Sequence, residues 1–240
     1  MFAWLIILLG VLPVFADAPD PVQPIRQGDI AYAQRADLAK AREALQAYER
    51  AAGDGAGAEA FWKASRAAWW LGDQSASRPD KLRYFQKGVD DARQGLAQDP
   101  NSVECHFWLG GNLGSFGETK GVLKSLSLIK PIRHEMAEVN RINDHYDGGG
   151  GYRVLGVVDY QVPGIAGGSK KRALEQLNKS LAIDPQNLFT RYYLAEYFKT
   201  VGEKEKMRQE WDVFKSLKAP EEFKPEYDSL RIKGEKLFGK

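Results

Sequence analysis

Two stretches of this chain align with each other without a gap: KGVDDARQGLAQDPNSVECHFWLG over Lys87–Gly110 and RALEQLNKSLAIDPQNLFTRYYLA over Arg172–Ala195. Gly88 falls opposite Ala173, Leu96 opposite Leu181, Asp99-Pro100 opposite Asp184-Pro185, and Leu109-Gly110 opposite Leu194-Ala195. Small residues at equivalent places let two antiparallel helices cross closely, because no large side chain separates their backbones. Proline then forces the chain out of one helix before the next begins. Elsewhere Gly, Pro and Asp/Asn punctuate segments whose apolar positions recur at three and four, while alternation of period two is nearly absent. The fold predicted is therefore all-α.

The segments expected to be helical are Asp37–Ala52, Asp80–Gln98, Ser102–Ser115, Thr119–Ile129, Pro131–His145, Ser169–Ile183, Asn187–Val201, Glu203–Leu217 and Pro225–Phe238. Asp37, Ser102, Ser169 and Asn187 are placed to accept bonds from free amides of a first turn, and Pro225 suits a first helical position. Helix, Asp-Pro corner, helix resembles the tetratricopeptide repeat, a hairpin of about 34 residues that buries its apolar stripe against neighbours in an α-solenoid. The two Asp-Pro corners are 85 residues apart, roughly seventeen more than two such repeats require. The surplus is assigned to a kink at Pro131 and to the loop QVPGIAGGSKK. Asp37–Ala52 with Glu59–Gly72 is read as a divergent first unit, giving about four irregular hairpins.

A narrower resemblance lies in YDGGGGYRVLGVVDYQVPGIAGGSKKRALEQLNKSLAIDPQNLFTRYYLAEYF, Tyr146–Phe198. Its order of glycine cluster, Arg-x-Leu-Gly helix, Pro-Gly-x-x-Gly-Gly loop, basic cluster and Leu-Ala-Glu helix is similar to the TatT family, the tetratricopeptide-like T components of TRAP transporters. That resemblance implies a non-enzymatic accessory protein in the periplasm. It would dock with an extracytoplasmic solute-binding protein, with an apolar ligand channel and a homotrimer as further expectations. Structural roles fall on Pro100, Leu109, Gly110, Leu155, Gly156, Pro163, Gly164, Gly167, Gly168, Ala173, Pro185, Leu194 and Ala195. A general periplasmic scaffold, or a carrier of an apolar ligand, are the alternative functions.

Residues 1–16, MFAWLIILLGVLPVFA, are apolar and uncharged, short of the roughly 20 residues of a spanning helix, and end with small side chains at Val14 and Ala16. This reads as a signal peptide cut after Ala16, with an uncleaved membrane anchor as the competing reading. A Pro-rich lead-in follows over residues 17–36, then the helical array over 37–217 and a capping helix within 218–240. Thirty-four Lys and Arg against 32 Asp and Glu leave a net charge of +2, against a polybasic nucleic-acid binder. The single cysteine, Cys105, excludes an internal disulfide and a multi-cysteine metal site.

Motifs that carry chemistry fail on spacing. GIAGGSKK lacks the glycine-lysine-serine order of a phosphate loop, and is read as a turn with Ser169 as cap. HEMAE at His134 has Glu138 where a zinc hydrolase needs a second imidazole, and Cys105-His106 are helix neighbours pointing apart. No catalytic, metal-binding or cofactor-binding residue is assigned. The glycines at 148–151 mark a sharp turn or close contact, and Arg153 is expected to pair with Glu196 across neighbouring hairpins. Among the aromatic residues, Trp62, Trp69, Trp70, Phe107, Phe198 and Trp211 belong mostly to the core. The candidate partner or ligand surface comprises Trp108, Tyr152, Arg153, Tyr160, Tyr192, Tyr193, Glu196 and Tyr197.

Overall fold

A computed structural model of the chain describes residues 22–239, so the signal-peptide reading and its cut at Ala16 lie outside the described residues. Within them the helices are α1 (Val22–Ala33), α2 (Leu38–Gly53), α3 (Gly57–Gln74), α4 (Arg78–Gln98), α5 (Val103–Lys120), α6 (Ile129–Asn143), α7 (Gly150–Gln161), α8 (Lys170–Ile183), α9 (Leu188–Val201), α10 (Lys204–Ser216) and α11 (Lys224–Phe238), with no strand. Asp37, Ser102, Ser169 and Asn187 each cap a helix as expected, accepting from the amides of Ala39, Cys105, Arg172 and Thr190. Ser77 does the same for α4 through Asp80.

The duplicated stretches adopt one geometry. Asp99 and Asp184 end their helices at φ −137°, with ψ 98° and 93°. In the first copy a side chain at Gly95 would strike the Cys105 sulfur at 2.4 Å; in the second, the equivalent Ser180 and Thr190 hydroxyls hydrogen-bond at 2.8 Å. His106 bridges the Pro100 carbonyl (3.0 Å) and Glu135 of α6 (2.6 Å). Its counterpart Arg191 bridges the Pro185 carbonyl (2.9 Å) and Glu210 of α10 (2.8 Å). Each corner thus uses a basic side chain to tie the start of an inner helix to the outer helix of the same hairpin.

Four sequence expectations change. The lead-in contains α1: Pro24 sits in the first turn, where a missing N–H costs nothing, and Ile25, Gly28, Ala31 and Tyr32 form its buried stripe. With α1 present the pairing shifts by one helix, to α1–α2, α3–α4, α5–α6, α7–α8 and α9–α10, rather than a first unit of α2 with α3. Thr119–Ile129 is not one α-helix: Gly121 at φ 102° ends α5, and residues 122–128 form a 3-10 segment broken at Ser125. Pro131 produces no kink, because it lies in the first turn of α6.

The glycine run is a junction. Gly148 and Gly149 have φ of 61° and 76°, and a Cβ on Gly149 would lie 2.9 Å from the Ser180 Cα. Gly150 and Gly151 are pressed against Phe107 and Asn140, so α5, α6 and α8 converge on backbone with no side chains.

The array closes on itself. Arg35, in the α1–α2 turn, donates from Nε to Glu226 of α11 at 2.8 Å and from Nη2 to the second carboxylate oxygen and the Glu222 carbonyl. Both ion-pair side chains are buried. The Arg35 guanidinium also lies 4.6 Å from the Tyr32 ring centroid, and the Trp70 indole donates to the Arg35 carbonyl at 2.8 Å. Further along, Lys233 pairs with Asp73 at 2.6 Å and Gln74 donates to Ser229 at 3.0 Å.

Replacing Glu226 alone by Leu strands the Arg35 charge and is expected to cost about 3–5 kcal/mol in a urea titration. Arg35→Met combined with Glu226→Leu should recover most of that loss; a double variant no more stable than the single one would show that the pair is not what fastens α11. The His106 bridge carries a pH signature. Burial pushes the imidazolium down, but the Glu135 carboxylate and the Pro100 carbonyl together hold its pKa above the ordinary value. A raised folded-state pKa gives stability that is complete below the unfolded value and is lost as pH rises through the folded one. The melting temperature should therefore fall as pH rises above the ordinary histidine value of about 6.5, less so in His106→Gln; an equal fall in both would remove His106 as the cause.

Candidate ligand-binding lumen

With α11 across it, the inner side of the array holds a half-open cavity of about 860 Å³. The odd-numbered helices α1 to α9 supply most of its wall, with the first turn of α6 and the N-terminal half of α11 completing it. The α5 sequence GGNLGSFG sets its floor. Gly110 is there for helix crossing, since a Cβ would stand 2.4 Å from the Met136 methyl carbon. Gly111 and Gly114 have no neighbouring atom within 4 Å of such a Cβ and open onto the cavity. One glycine row thus does two things: it lets α6 approach on one side and leaves bare backbone toward a ligand on the other.

Around this floor stand Trp69 and Trp108, ring centroids 5.7 Å apart, with Phe107 edge-on to Trp108 at 5.3 Å. Ile132, Val154, Val157 and Val158 add aliphatic wall. Trp69 is fixed by an indole hydrogen bond to Ser115 at 2.9 Å. The polar groups differ in how far they are satisfied. Arg35 is held by Glu226, and Arg153 by Asp147. Arg66 lies over the rings of Tyr32 (4.0 Å) and Trp62 (4.9 Å), forms no ion pair among the described residues, and its Nε has no hydrogen-bond partner. The Trp108 indole N–H is likewise buried without an acceptor. Burial pushes the Tyr32 hydroxyl up to about 12, against the lowering effect of Arg66. The lumen is therefore apolar and aromatic, with three unused donors, Arg66 Nε, Trp108 Nε1 and the Ser125 hydroxyl, suited to a carbonyl or carboxylate oxygen.

Of the sequence-derived candidates, Trp108, Arg153 and Tyr193 line this space. The others lie apart from it. Tyr192 is packed among Tyr193, Phe214 and Phe238. Tyr160 and Tyr197 meet edge to face at 6.0 Å, and the Tyr197 hydroxyl donates to the Lys170 carbonyl at 3.1 Å. Tyr152 lies beneath Lys179, and Glu196 is half-buried beside Tyr160 and Gln161. The expected Arg153–Glu196 pair does not form. Arg153 turns back six residues to Asp147, whose left-handed φ of 51° brings both its carboxylate and its carbonyl within reach, and also donates to Asn187 at 3.3 Å.

Glu138 is taken by Arg141 at 2.8 Å, and His134 stands exposed. GIAGGSKK forms a short 3-10 turn in which a Cβ on Gly168 would overlap the Val162 carbonyl. Sequence reasoning missed Arg35, Arg66, Gly111 and Gly114. The glycine spacing within α5 was a visible signal, whereas the fate of each arginine depended on distant partners.

This architecture, helix hairpins curving around an inner face, defines a tetratricopeptide-like helical-repeat fold. The chain belongs to the family described as Regulator of microtubule dynamics protein 1-3, whose model matches residues 24–229. Among solved structures it is similar to TTC0263, a thermophilic TPR protein in Thermus thermophilus. Identity there is 17% over 89% of this chain and 100% of that one, with a TM-score of 0.64. A MamA RS-1 ArsTM double mutant matches at 18% identity over 83% and 96% of the two chains, with a TM-score of 0.50. At these identities the likeness concerns the fold. No curated protein matches the chain.

The two kinds of glycine in α5 are separable by substitution. Gly110→Leu must displace Met136 and is expected to cost about 2 kcal/mol or more. Gly114→Leu projects into open space and should be neutral or stabilising by up to about 1 kcal/mol, since glycine is a poor helix former. Thermal denaturation of both variants checks this, and equal destabilisation would contradict the placement of Gly114.

Proposed function

We propose that this chain is a non-enzymatic binding module that holds an apolar stretch of a protein partner in its lumen. The observation that carries the reading is the bare Gly111–Gly114 floor between aromatic and valine walls, with Arg66 Nε and Trp108 Nε1 left as buried donors. Such a surface accommodates a close-lying main chain and rewards an acceptor group on it. The finer reading is that residues 1–16 direct export with cleavage near Ala16, and that the protein acts in the periplasm. Its partner there would be an extracytoplasmic solute-binding protein of a TRAP-type uptake system; the TatT-like string Tyr146–Phe198 supports this. From the family's description, which names microtubule dynamics, we carry over only the binding of a protein. A general scaffold would keep the same fold with an unrelated partner. TRAP membrane subunits encoded beside this reading frame would favour the uptake role, and their absence would favour the scaffold.

A second reading is a carrier of a free apolar ligand. It is favoured by the closure of α11 over the lumen, whose volume of about 860 Å³ lies within the range of small-molecule pockets. One pair of measurements separates the two. The variant Gly111→Leu with Gly114→Leu sends two bulky side chains into the lumen from positions where a Cβ meets no atom within 4 Å. It should lower affinity for a co-purified solute-binding protein by about tenfold or more while the melting temperature is kept. Native mass spectrometry that instead finds a stoichiometric small apolar ligand, lost in the same variant, transfers the function to the carrier. Partner binding and ligand content both unmoved by the filled lumen would overturn the two readings together.

A further inference from the structure

Among the described residues, three of the eight exposed large apolar side chains, including the two most exposed, lie on two neighbouring turns. Leu123 (72% exposed) and Leu126 (38%) are on the 3-10 segment before α6, and Ile165 (102%) is at the tip of the loop before α8. The two turns are tied together: Arg133 and Arg172 both pair with Asp159, and both donate to the Gly167 carbonyl, at 3.0 and 2.6 Å. Ala166 packs into the same cluster as Leu128 and Ile129. Ser125, Leu128, Ile129 and Val162, from or beside these turns, line the lumen. The exposed side chains therefore surround one end of that cavity.

The charge around them has one sign. Residues 119–134 and 160–174 contain no Asp or Glu. Arg133 and Arg172 share the single buried carboxylate of Asp159, so that cluster keeps one net positive charge; Lys120, Lys124, Lys130, Lys170 and Lys171 are exposed with no ion-pair partner among the described residues. The acids that border these runs are Glu118, exposed two residues before Lys120, Glu135, held by His106, Asp159, held by the two arginines, and Glu175, exposed on α8. Three apolar tips on two turns fall well short of the roughly 20–30 residues per side of a stable protein interface. They fit shallow insertion at a bilayer surface, where lysines meet lipid phosphates while short apolar side chains enter the headgroup boundary.

We propose that the 122–128 turn and the 163–168 loop form a membrane-contact surface for anionic phospholipid bilayers, with Leu123, Leu126 and Ile165 entering the interface and Lys124, Lys130 and Lys171 facing the headgroups. The reading does not depend on what fills the lumen. Its test uses the full chain with Leu126→Cys carrying an environment-sensitive NBD label, the native Cys105 being buried. The label reports burial at this surface alone, even where the apolar run at residues 1–16 holds the chain on a vesicle. The expected result is a blue shift with phosphatidylcholine vesicles containing phosphatidylglycerol, none with phosphatidylcholine alone, and reversal by added salt. Lys124→Glu with Lys130→Glu and Lys171→Glu should weaken the apparent partitioning by about tenfold or more, and Leu123→Ser with Ile165→Ser should weaken it as well. The proposal is overturned by a label that ignores anionic vesicles or by a charge-reversed variant that responds as strongly. A shift that grows with protein concentration in the absence of vesicles would also overturn it, by assigning the surface to a second copy of the chain.

Discussion

A row of helix hairpins left open would expose its inner aromatic face to water. Here that face becomes the wall of a cavity because Arg35 and Glu226, 191 residues apart, meet in a buried ion pair. The pair is well served: Nη1 of Arg35 also donates to the Tyr32 carbonyl at 3.2 Å, and the Tyr32 ring lies beneath the guanidinium. A charge taken out of water needs this kind of multiple satisfaction to be tolerated. Its value to the fold is positional, since it fixes where the last helix crosses and so how much of the inner face is covered.

The repeat supplies the curvature that the closing helix completes. Equivalent corners share their backbone angles, yet equivalent contacts are met by different chemistry. Glycine against sulfur in one copy becomes a hydroxyl pair in the other, and an imidazole in one becomes a guanidinium in the other. What is kept is the separation between helices and the tie from inner helix to outer helix. Where the intervening hairpins depart from the plain repeat, at the 3-10 segment and the glycine-rich loop, the departures fall together at one end of the lumen. Irregular turns with exposed apolar tips, and lysines without an ion-pair partner among the described residues, are thus concentrated where the cavity approaches the surface. That arrangement joins the two proposals spatially, although each rests on its own observations.

The amino-acid sequence by itself determined the helical class, the caps at Asp37, Ser102, Ser169 and Asn187, and the equivalence of the two Asp-Pro corners. These are local matters, set by apolar spacing within one helix or by a side chain reaching an amide two or three residues away. Local signals also misled where a residue has two uses. Pro24 and Pro131 read as interruptions but occupy first turns, and Gly121 reads as helix interior although its positive φ ends the helix. Tertiary structure alone decided which glycine of α5 faces Met136 and which faces open space, that Arg153 turns to Asp147 and not Glu196, and that Arg66 is left without a carboxylate. It also decided that α11 returns to the first hairpin. Apart from the six-residue reach of Arg153 to Asp147, set by the left-handed backbone at Asp147, these depend on groups tens to nearly two hundred residues apart, brought together by accumulated helix crossings that no spacing rule within a single segment encodes.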